Sequence, residues 1–349
     1  MSIKIAYIEL ETHVEILSDF KNLADSYIYL TVDYLVSEKV FNHMEDKAKQ
    51  NTFLLSPERI MPFLESQNYR LVIIGTAHRY FGLYHKIAEN FATAIIVHNK
   101  NFSLLSRGGL LKNILRKELL YRMKLLFREQ LLMSPGLYKK AKKLLVLDKH
   151  MADGRYTYLP LFYRRRTEYC HEKQKKKLLV VVPGRVSQDR RDYKHIIEKM
   201  RSFSQEMEVV FLGRAEGKLL RYIENSLFYL PQNVTLKYFK DFVSAEEFSF
   251  YMKQADLLWC PLQESYTFMG SKEIYGKTKM SGNIADAVIY GKTAIFPGKY
   301  LSPYPFILEE KSDVEKQICE IRFLSYDFSE VDKKRIQNEF YETLKKIII

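Results

Sequence analysis

The chain has 349 residues, of which 47% are apolar and 28% are charged, so disordered and collagen-like proteins are excluded. Its three cysteines include no CxxC pair, which excludes a disulfide scaffold and a thiolate zinc site. The formal net charge of +13 is compatible with binding to nucleic acid, to an anionic membrane surface or to phosphorylated ligands.

The first 160 residues alternate between short apolar runs and longer helix-like stretches. The apolar runs are residues 3–10, 71–74, 94–97 and 144–147, and 76–90 is an intervening helical pattern. This alternation predicts a parallel sheet with helices packed on it. The first run is too short for a signal peptide and soon meets acidic residues. Because all runs are also shorter than the roughly 18 apolar residues of a spanning helix, we expect a cytoplasmic protein.

The positive charge is concentrated in the middle of the chain. Residues 100–177 contain 21 Lys and Arg against 6 Asp and Glu, a net charge of +15, whereas residues 1–99 have a net charge of −3. Within this block, residues 104–133 interleave cations with large apolar residues, in an amphipathic pattern over the first half. Such a segment either packs on the sheet with a solvated basic side or lies on an anionic membrane. Residues 161–177 have the composition of a basic linker.

The alternation restarts after the linker. Apolar runs at 178–182, 209–212, 234–238, 257–261 and 293–296 predict a second parallel sheet. Residues 331–349 have the pattern of an amphipathic helix, which could pack back on the N-terminal half. The predicted fold is therefore α/β, with domains at 1–160 and 178–330. Their cleft is expected between the domains, at the carboxyl ends of the strands.

The first turn of the second half combines a glycine with cations. Its strand ends in Pro183-Gly184-Arg185, and Arg190, Arg191 and Lys194 follow within ten residues. Converging cations beside a glycine turn can hold a phosphate through charge-assisted hydrogen bonds. The alternative is an ordinary strand–turn–helix unit with a solvated basic surface.

The segment that begins at Lys279 has the pattern of a capped helix. Ser281 is suited to cap the helix, and Gly282 leaves the N–H groups of its first turn open to an anion. Lys279 adds a cation, Asp286 lies one turn along, and Gly291 is suited to end the helix. The segment predicts a site for a phosphate and a neighbouring sugar hydroxyl, although an ordinary helix–strand unit has the same pattern.

These motifs resemble those of GT-B glycosyltransferases, which have two Rossmann-like domains and use nucleotide-sugar donors. Residues 183–185 with 191–193 resemble the first phosphate loop of the donor domain, 255–261 its proline-ended strand, and 279–292 the segment that binds diphosphate and ribose. The resemblance covers residues 178–300 and is only topological over 1–160. It implies a donor site with Arg185 and Lys279 at the diphosphate, Ser281, Gly282 and Asn283 at the phosphates, Asp286 at the ribose, Glu273 at the donor sugar and Phe242 at the base. Gly184 and Arg191 belong to this donor site as residues of the first phosphate loop.

The chain departs from the family at its acidic residues. Many retaining members have two Glu separated by seven residues, but Ser281 occupies that position after Glu273. Asp286 aligns with the second acid if about five residues are inserted, so the stereochemical outcome stays open. For Phe242, a place at the edge of the core is the alternative to a contact with the base.

Transfer to an acceptor requires a base for its hydroxyl proton and cations that stabilise the leaving diphosphate. Loops after the first-domain strands offer Glu11, His13, His78 and His98, although each could instead have a structural role. We favour His13, because in this architecture the loop after the first strand faces the cleft. The resemblance implies a reaction without a metal or other cofactor, and the sequence has no Asp-x-Asp motif.

The leading hypothesis is a hexosyltransferase that moves a sugar from a nucleotide sugar to a polysaccharide or lipid-linked acceptor. Since acceptors of this family are usually lipid-linked, the resemblance favours a peripheral location at the inner membrane face, with residues 104–133 on the membrane. A nucleotide-sugar epimerase of the same fold would need acidic residues on both sides of the sugar. A nucleic-acid-binding protein would need interleaved aromatic residues or a recognised module. A catalytically silent carbohydrate-binding relative is the remaining alternative.

Overall fold

A computed structural model describes residues 3–44, 51–114, 119–165, 177–300 and 302–348. Residues 166–176 of the predicted linker lie outside these ranges, as do residues 115–118 of the predicted membrane-facing segment. The described chain forms two parallel sheets, one in each half, with helices packed on both.

The N-terminal half contains seven parallel strands in the order β3-β2-β1-β4-β5-β6-β7. Its strands are Ile3–Glu9 (β1), Leu30–Val36 (β2), Thr52–Leu54 (β3), Leu71–Ile74 (β4), Thr93–Ile96 (β5), Lys143–Val146 (β6) and Tyr156–Tyr158 (β7). Its helices are Val14–Ala24 (α1), Glu38–Asn42 (α2), Pro57–Glu65 (α3), Phe81–Asn90 (α4), Lys100–Ser103 (α5), Arg107–Ile114 (α6), Leu119–Arg128 (α7) and Ser134–Lys140 (α8). All of β4 is buried, as expected for a central strand covered on both faces.

The C-terminal half contains six parallel strands in the order β10-β9-β8-β11-β14-β15 and a separate hairpin, β12-β13. The strands are Leu178–Pro183 (β8), Met207–Arg214 (β9), Val234–Phe239 (β10), Leu257–Trp259 (β11), Ser265–Phe268 (β12), Ser271–Ile274 (β13), Ala294–Phe296 (β14) and Ile307–Glu309 (β15). The helices are Tyr193–Met200 (α9), Gly217–Ser226 (α10), Ala245–Gln254 (α11), Gly282–Tyr290 (α12), Val314–Ile321 (α13) and Lys333–Ile348 (α14). In both halves the first strand is central and the order reverses beside it, as in dinucleotide-binding sheets. The predicted α/β architecture is confirmed.

Two local predictions need correction. The helix predicted at 76–90 begins only at Phe81, because residues 75–80 form a loop in which Tyr80 has a left-handed backbone conformation, with φ of 52°. Phe242, for which the edge of the core was an alternative, is 87% exposed and lies outside the core.

Helix α14 leaves the C-terminal half and packs against α1 of the N-terminal half. Phe340 meets Phe20 with ring centroids 5.1 Å apart, and Tyr341 stacks on Tyr27 at 4.2 Å. Phe340 is fully buried, so this contact belongs to the main core. Among the residues that the structure describes, every helix falls short of the length and apolarity that crossing a membrane requires.

The hairpin β12-β13 also joins the halves. Its turn contains Met269 and Gly270, both with positive φ, at 45° and 81°. The Phe268 ring packs against Phe102 of the N-terminal half, 5.1 Å between centroids. The carboxylate of Glu273 accepts hydrogen bonds from the backbone N–H groups of Asn101 and Phe102, at 3.2 and 2.8 Å. The hairpin, which belongs to the C-terminal half, therefore contacts α5 of the N-terminal half.

Candidate functional site

The turn after β8 is shaped around one arginine. Gly184 has a φ of +97°, and a Cβ on it would lie 2.7 Å from Nη2 of Arg191. The Nε and Nη2 groups of Arg191 both donate to Oδ1 of Asn283, at 3.2 and 2.9 Å. Glycine therefore lets the guanidinium lie against the turn, and Arg191 connects the two motifs that the sequence singled out. Arg185 instead is exposed and pairs with Glu216 at 3.0 Å.

Helix α12 has the predicted caps. The Ser281 hydroxyl accepts a hydrogen bond from the backbone N–H of Asn283 at 3.2 Å, and Gly291 ends the helix in the left-handed conformation, with φ of 58°. Gly282 is exposed at the first turn, where a Cβ would extend into open space among the described residues. Its N-terminal end is therefore accessible and carries the partial positive charge of the helix dipole.

Asn283 and Asp286 are held together on the same helix. The side-chain N–H₂ group of Asn283 donates to the carbonyl oxygen of Pro183 at 3.0 Å and to Oδ2 of Asp286 at 3.1 Å. Burial raises the pKa of Asp286 to about 6, although Asn283 and the positive charge of Arg191 oppose the shift. The structure thus brings Asp286 beside the turn after β8, as a carboxylate that accepts hydrogen bonds.

Two further cations lie over Tyr266 of the hairpin. The Cζ atom of Arg190 is 5.0 Å from the ring centroid of Tyr266, and Nζ of Lys279 is 5.6 Å from it. Burial, with a smaller contribution from Arg190, lowers the pKa of Lys279 to about 8. Lys279 is therefore still mainly protonated at neutral pH. Together with Arg191 and the start of α12, these side chains form a positively charged wall of the cleft.

Three of the candidate bases form a cluster on the opposite wall. His13, His78 and His98 follow β1, β4 and β5, neighbouring strands whose carboxyl ends share one edge of the sheet. The rings of His13 and His98 are stacked at 4.4 Å, and His78 lies 6.3 Å from the first and 5.5 Å from the second. Three separate strands, of which β1 is more than 60 residues from the other two in sequence, thus bring these side chains into contact.

Hydrogen bonds fix the protons on two of these rings. Nδ1 of His13 lies 2.9 Å from a carboxylate oxygen of Glu15, and Nε2 of His98 lies 2.9 Å from the carbonyl oxygen of Gly75. Both oxygens can only accept, so these nitrogens carry the protons. In the neutral form of His13, the lone pair is therefore on Nε2. Burial, followed by the electrostatic interactions with His13 and His78, lowers the pKa of His98 well below its ordinary value, so His98 is neutral.

Glu11 lies beside this cluster but is held differently. Its carboxylate is buried and 3.7 Å from the guanidinium of Arg79. Burial raises its pKa, while the charge of Arg79 lowers it. The fully buried Glu9, which the sequence reasoning missed, accepts hydrogen bonds from Thr76 and from the backbone N–H of Glu11. Glu9 ends a buried strand, and a charged residue at that position was the available signal.

Two other predicted donor residues have surroundings that the sequence did not predict. Both carboxylate oxygens of Glu273 bind backbone N–H groups of the N-terminal half, and the side chain is fully buried. Phe242 is exposed in the loop after β10. Conversely, Asn99 was not singled out by the sequence, although it follows His98 directly after a strand. It contacts both His78 and Lys279.

Solved structures with the same fold were found, whereas no protein-family model and no curated protein sequence matches the chain. The lipopolysaccharide outer core galactosyltransferase WaaB, in its apo form, is 11% identical, with a TM-score of 0.57 and 99% of each chain covered. HepE of Anabaena in complex with UDP-glucose is 11% identical, with a TM-score of 0.56, over 99% of this chain and 100% of HepE. Sucrose-phosphate synthase of Thermosynechococcus elongatus is 12% identical, with a TM-score of 0.53, over 99% and 96%. The chain therefore has the predicted GT-B fold, two Rossmann-like domains that face each other across a cleft.

Proposed function

We propose that the protein is a glycosyltransferase that moves a sugar from a nucleotide sugar to a hydroxyl of a glycan or lipid-linked acceptor, without a bound metal. The observation that supports it most is the pairing of two walls across one cleft. One wall presents Arg190, Arg191, Lys279 and the start of α12, and the other presents three histidines. Cations that stabilise a leaving diphosphate, opposite a group that takes a proton, are what this reaction needs.

The two walls of the cleft have different proposed roles. We assign the diphosphate to Arg191, Lys279 and the N–H groups at Gly282, and the ribose to the carboxylate of Asp286. We assign no donor contact to Arg185, which forms an exposed ion pair with Glu216, or to Glu273, whose two carboxylate oxygens bind backbone N–H groups of α5. His13 is the base, since its proton on Nδ1 leaves Nε2 able to accept one. Glu15 orients it and balances the charge that develops on the ring.

The donor class can be tested with a panel of nucleoside diphosphates. HepE, which shares the fold, was solved with UDP-glucose, so UDP is the first compound to try. At 100 times its dissociation constant a ligand should add roughly 2.7 kcal/mol to the free energy of unfolding. If UDP, GDP, ADP, CDP and dTDP all leave the melting temperature unchanged, the proposed function is wrong.

Lys279→Ala tests the assigned diphosphate site. Loss of a charge-assisted hydrogen bond costs about 1.5–3 kcal/mol, so the dissociation constant of the bound nucleotide should rise about tenfold or more. Lys272→Ala is the matched control, because Lys272 is an exposed lysine on the neighbouring strand β13. Equal affinities for the two variants would remove Lys279 from the site. Product analysis separates transfer from epimerisation, which would change the nucleotide sugar without an acceptor.

For the acceptor, we propose that residues 104–133 bind an anionic membrane surface. Leu104, Leu111 and Phe127 are 52%, 44% and 72% exposed. Leu104 precedes α6, and Leu111 and Phe127 lie on α6 and α7, where the cations Arg107, Lys112 and Arg128 are also exposed. Apolar side chains and cations exposed together are typical of a segment that lies in the headgroup region.

Vesicle sedimentation tests this membrane contact. Each cation near the surface contributes about 1 kcal/mol, so replacing Arg107, Lys112 and Arg128 with Ser should lower partitioning into phosphatidylglycerol vesicles about 100-fold. Serine at Lys218, Lys311 and Lys334, which are exposed elsewhere, gives the control with the same loss of charge. Equal losses in the two variants, or equal binding to pure phosphatidylcholine vesicles, would contradict a local electrostatic contact.

A further inference from the structure

Asn99 occupies a helix-capping position but its side chain is used elsewhere. It directly precedes α5, where asparagine commonly accepts a hydrogen bond from the first turn of the helix. Here the carboxylate of Glu273 takes the N–H groups of Asn101 and Phe102. The Asn99 side chain, only 2% exposed, is thereby left to bridge the two walls of the cleft.

The bridge has a defined direction. Nζ of Lys279 lies 2.9 Å from Oδ1 of Asn99, and Nδ2 of Asn99 lies 3.1 Å from Nε2 of His78. An ammonium group can only donate, so the oxygen of the amide must point to Lys279 and its N–H₂ group to His78. Nε2 of His78 then accepts, and it must be unprotonated.

His78 is consequently a neutral ring with its proton on Nδ1. The groups around it agree with this: His13 and His98 lie on one side, Lys279 lies beyond Asn99, and the Phe268 ring packs at 4.6 Å. Burial, then the electrostatic interactions with His13 and Lys279, lowers the pKa of His78 to about 3. A ring in this state donates a hydrogen bond through Nδ1 and takes no proton at Nε2.

We propose that Asn99 is a positioning residue that holds His78 as a neutral Nδ1–H hydrogen-bond donor and that connects this ring to Lys279 of the opposite domain. His78 is then excluded as the base and can donate to an oxygen of the substrate. A bound diphosphate would compete with Asn99 for Lys279, so His78 would respond to the nucleotide site. This last step rests on the proposed function, whereas the protonation of His78 does not.

Nitrogen NMR of histidine-labelled protein tests the assignment, with His78→Gln identifying the signal. We expect the wild-type ring to be the neutral Nδ1–H tautomer from pH 5 to pH 8. Asn99→Asp replaces the donor with an oxygen that can only accept, so the proton should move to Nε2 of His78 or the ring should become charged. Asn90→Asp is the matched control, because Asn90 is exposed at the end of α4 and should leave the tautomer unchanged.

Several results would overturn the inference. One is a wild-type His78 that carries its proton on Nε2 or is charged at pH 7. Another is an Asn99→Asp variant that remains folded, by its melting temperature, with the wild-type tautomer. Addition of UDP separates the two proposals. If UDP shifts the His78 signal in the wild type but not in Lys279→Ala, the coupling is supported. If UDP binds and the His78 signal stays unchanged, the coupling is overturned. If no nucleoside diphosphate binds but the tautomer is as expected, the proposed function fails and the role of Asn99 in holding His78 stands.

Discussion

At the scale of single residues, Gly184 determines where the Arg191 guanidinium can lie. Its φ of +97° disfavours any side chain, and a Cβ would also lie 2.7 Å from Nη2 of Arg191. We expect Gly184→Ala to lower the free energy of unfolding by about 2–3 kcal/mol, from backbone strain and the displaced arginine together. Nucleotide affinity should fall with it, because Arg191 moves. Urea denaturation and nucleotide titration measure the two effects.

Gly217→Ala is the control for backbone strain alone. Gly217 also has a positive φ, at +63°, but a Cβ there would enter open space among the described residues. Its cost should be about 1 kcal/mol, with nucleotide affinity unchanged. If the two alanine variants are equally destabilised, contact with Arg191 contributes nothing at Gly184.

Asp286 should make the stability depend on pH. Its pKa rises from 3.8 to about 6 on folding, because burial disfavours the charged form. The folded state therefore binds the proton more tightly, and stability is lost as the pH rises from about 4 to 6. The loss is at most about 3 kcal/mol. Asp286→Asn should remove this slope, and at pH 7 it should be more stable than the wild type while it binds nucleotide sugars more weakly.

Urea unfolding of both proteins at pH 4, 5, 6 and 7 checks this prediction. The difference in unfolding free energy should grow in favour of Asp286→Asn as the pH rises. The charged groups near Asp286 are Arg191 and Glu15, and both are unchanged in the variant. A difference that is constant with pH would show that Asp286 has no raised pKa.

The residue types of the site could be predicted from sequence, but their states could not. His13, His78 and His98 each follow a strand that sequence reasoning identified, so their shared edge was foreseeable. Which ring nitrogen carries the proton depends on Glu15, Gly75 and Asn99. Gly75 contacts His98 and Asn99 contacts His78, each from a different loop, so their positions follow only from the folded packing.

At the scale of elements, helix α12 and the hairpin β12-β13 differ in how far they could be predicted from the sequence. Helix α12 has its cap at Ser281 and its end at Gly291, both signalled by residue type. The hairpin β12-β13 was missed, because its strands have four residues each and its turn places Met269 at a positive φ. Asn-Gly or Asp-Gly is the usual signal for such a turn. The family resemblance implied that Glu273 lies at the donor sugar, whereas in the hairpin its carboxylate binds α5.

The hairpin contact can be measured through Glu273. Glu273→Ala leaves two backbone N–H groups at the start of α5 without their acceptor, which should lower the free energy of unfolding by about 2 kcal/mol. Glu273→Gln keeps an acceptor oxygen and should cost less. Glu264→Ala, which removes an exposed partner of Lys299, should change stability by less than about 0.5 kcal/mol. If urea denaturation gives the same free energy of unfolding for Glu273→Ala and Glu264→Ala, Glu273 has no role in joining the halves.

At the scale of the whole molecule, the alternation of strands and helices was sufficient to predict two parallel sheets. It could not predict which contacts hold the halves together, since these depend on residues far apart in sequence. Glu273 meets α5, and α14 packs on α1. The net charge of +13 likewise could be mapped to the central segment but not to a partner, because charge alone does not distinguish among anionic surfaces.

The contact of α14 with α1 should contribute to the stability of both halves. Phe340 is fully buried and packs edge-on against Phe20, so Phe340→Ala should cost about 3–5 kcal/mol. Because α14 follows the C-terminal half but packs on the N-terminal half, its loss should also separate one unfolding transition into two. Phe323→Ala, at a site that is 80% exposed, should stay within about 0.5 kcal/mol of the wild type. Calorimetry measures both the loss of stability and the number of unfolding transitions. A single transition at the wild-type temperature in Phe340→Ala would mean that α14 does not couple the halves.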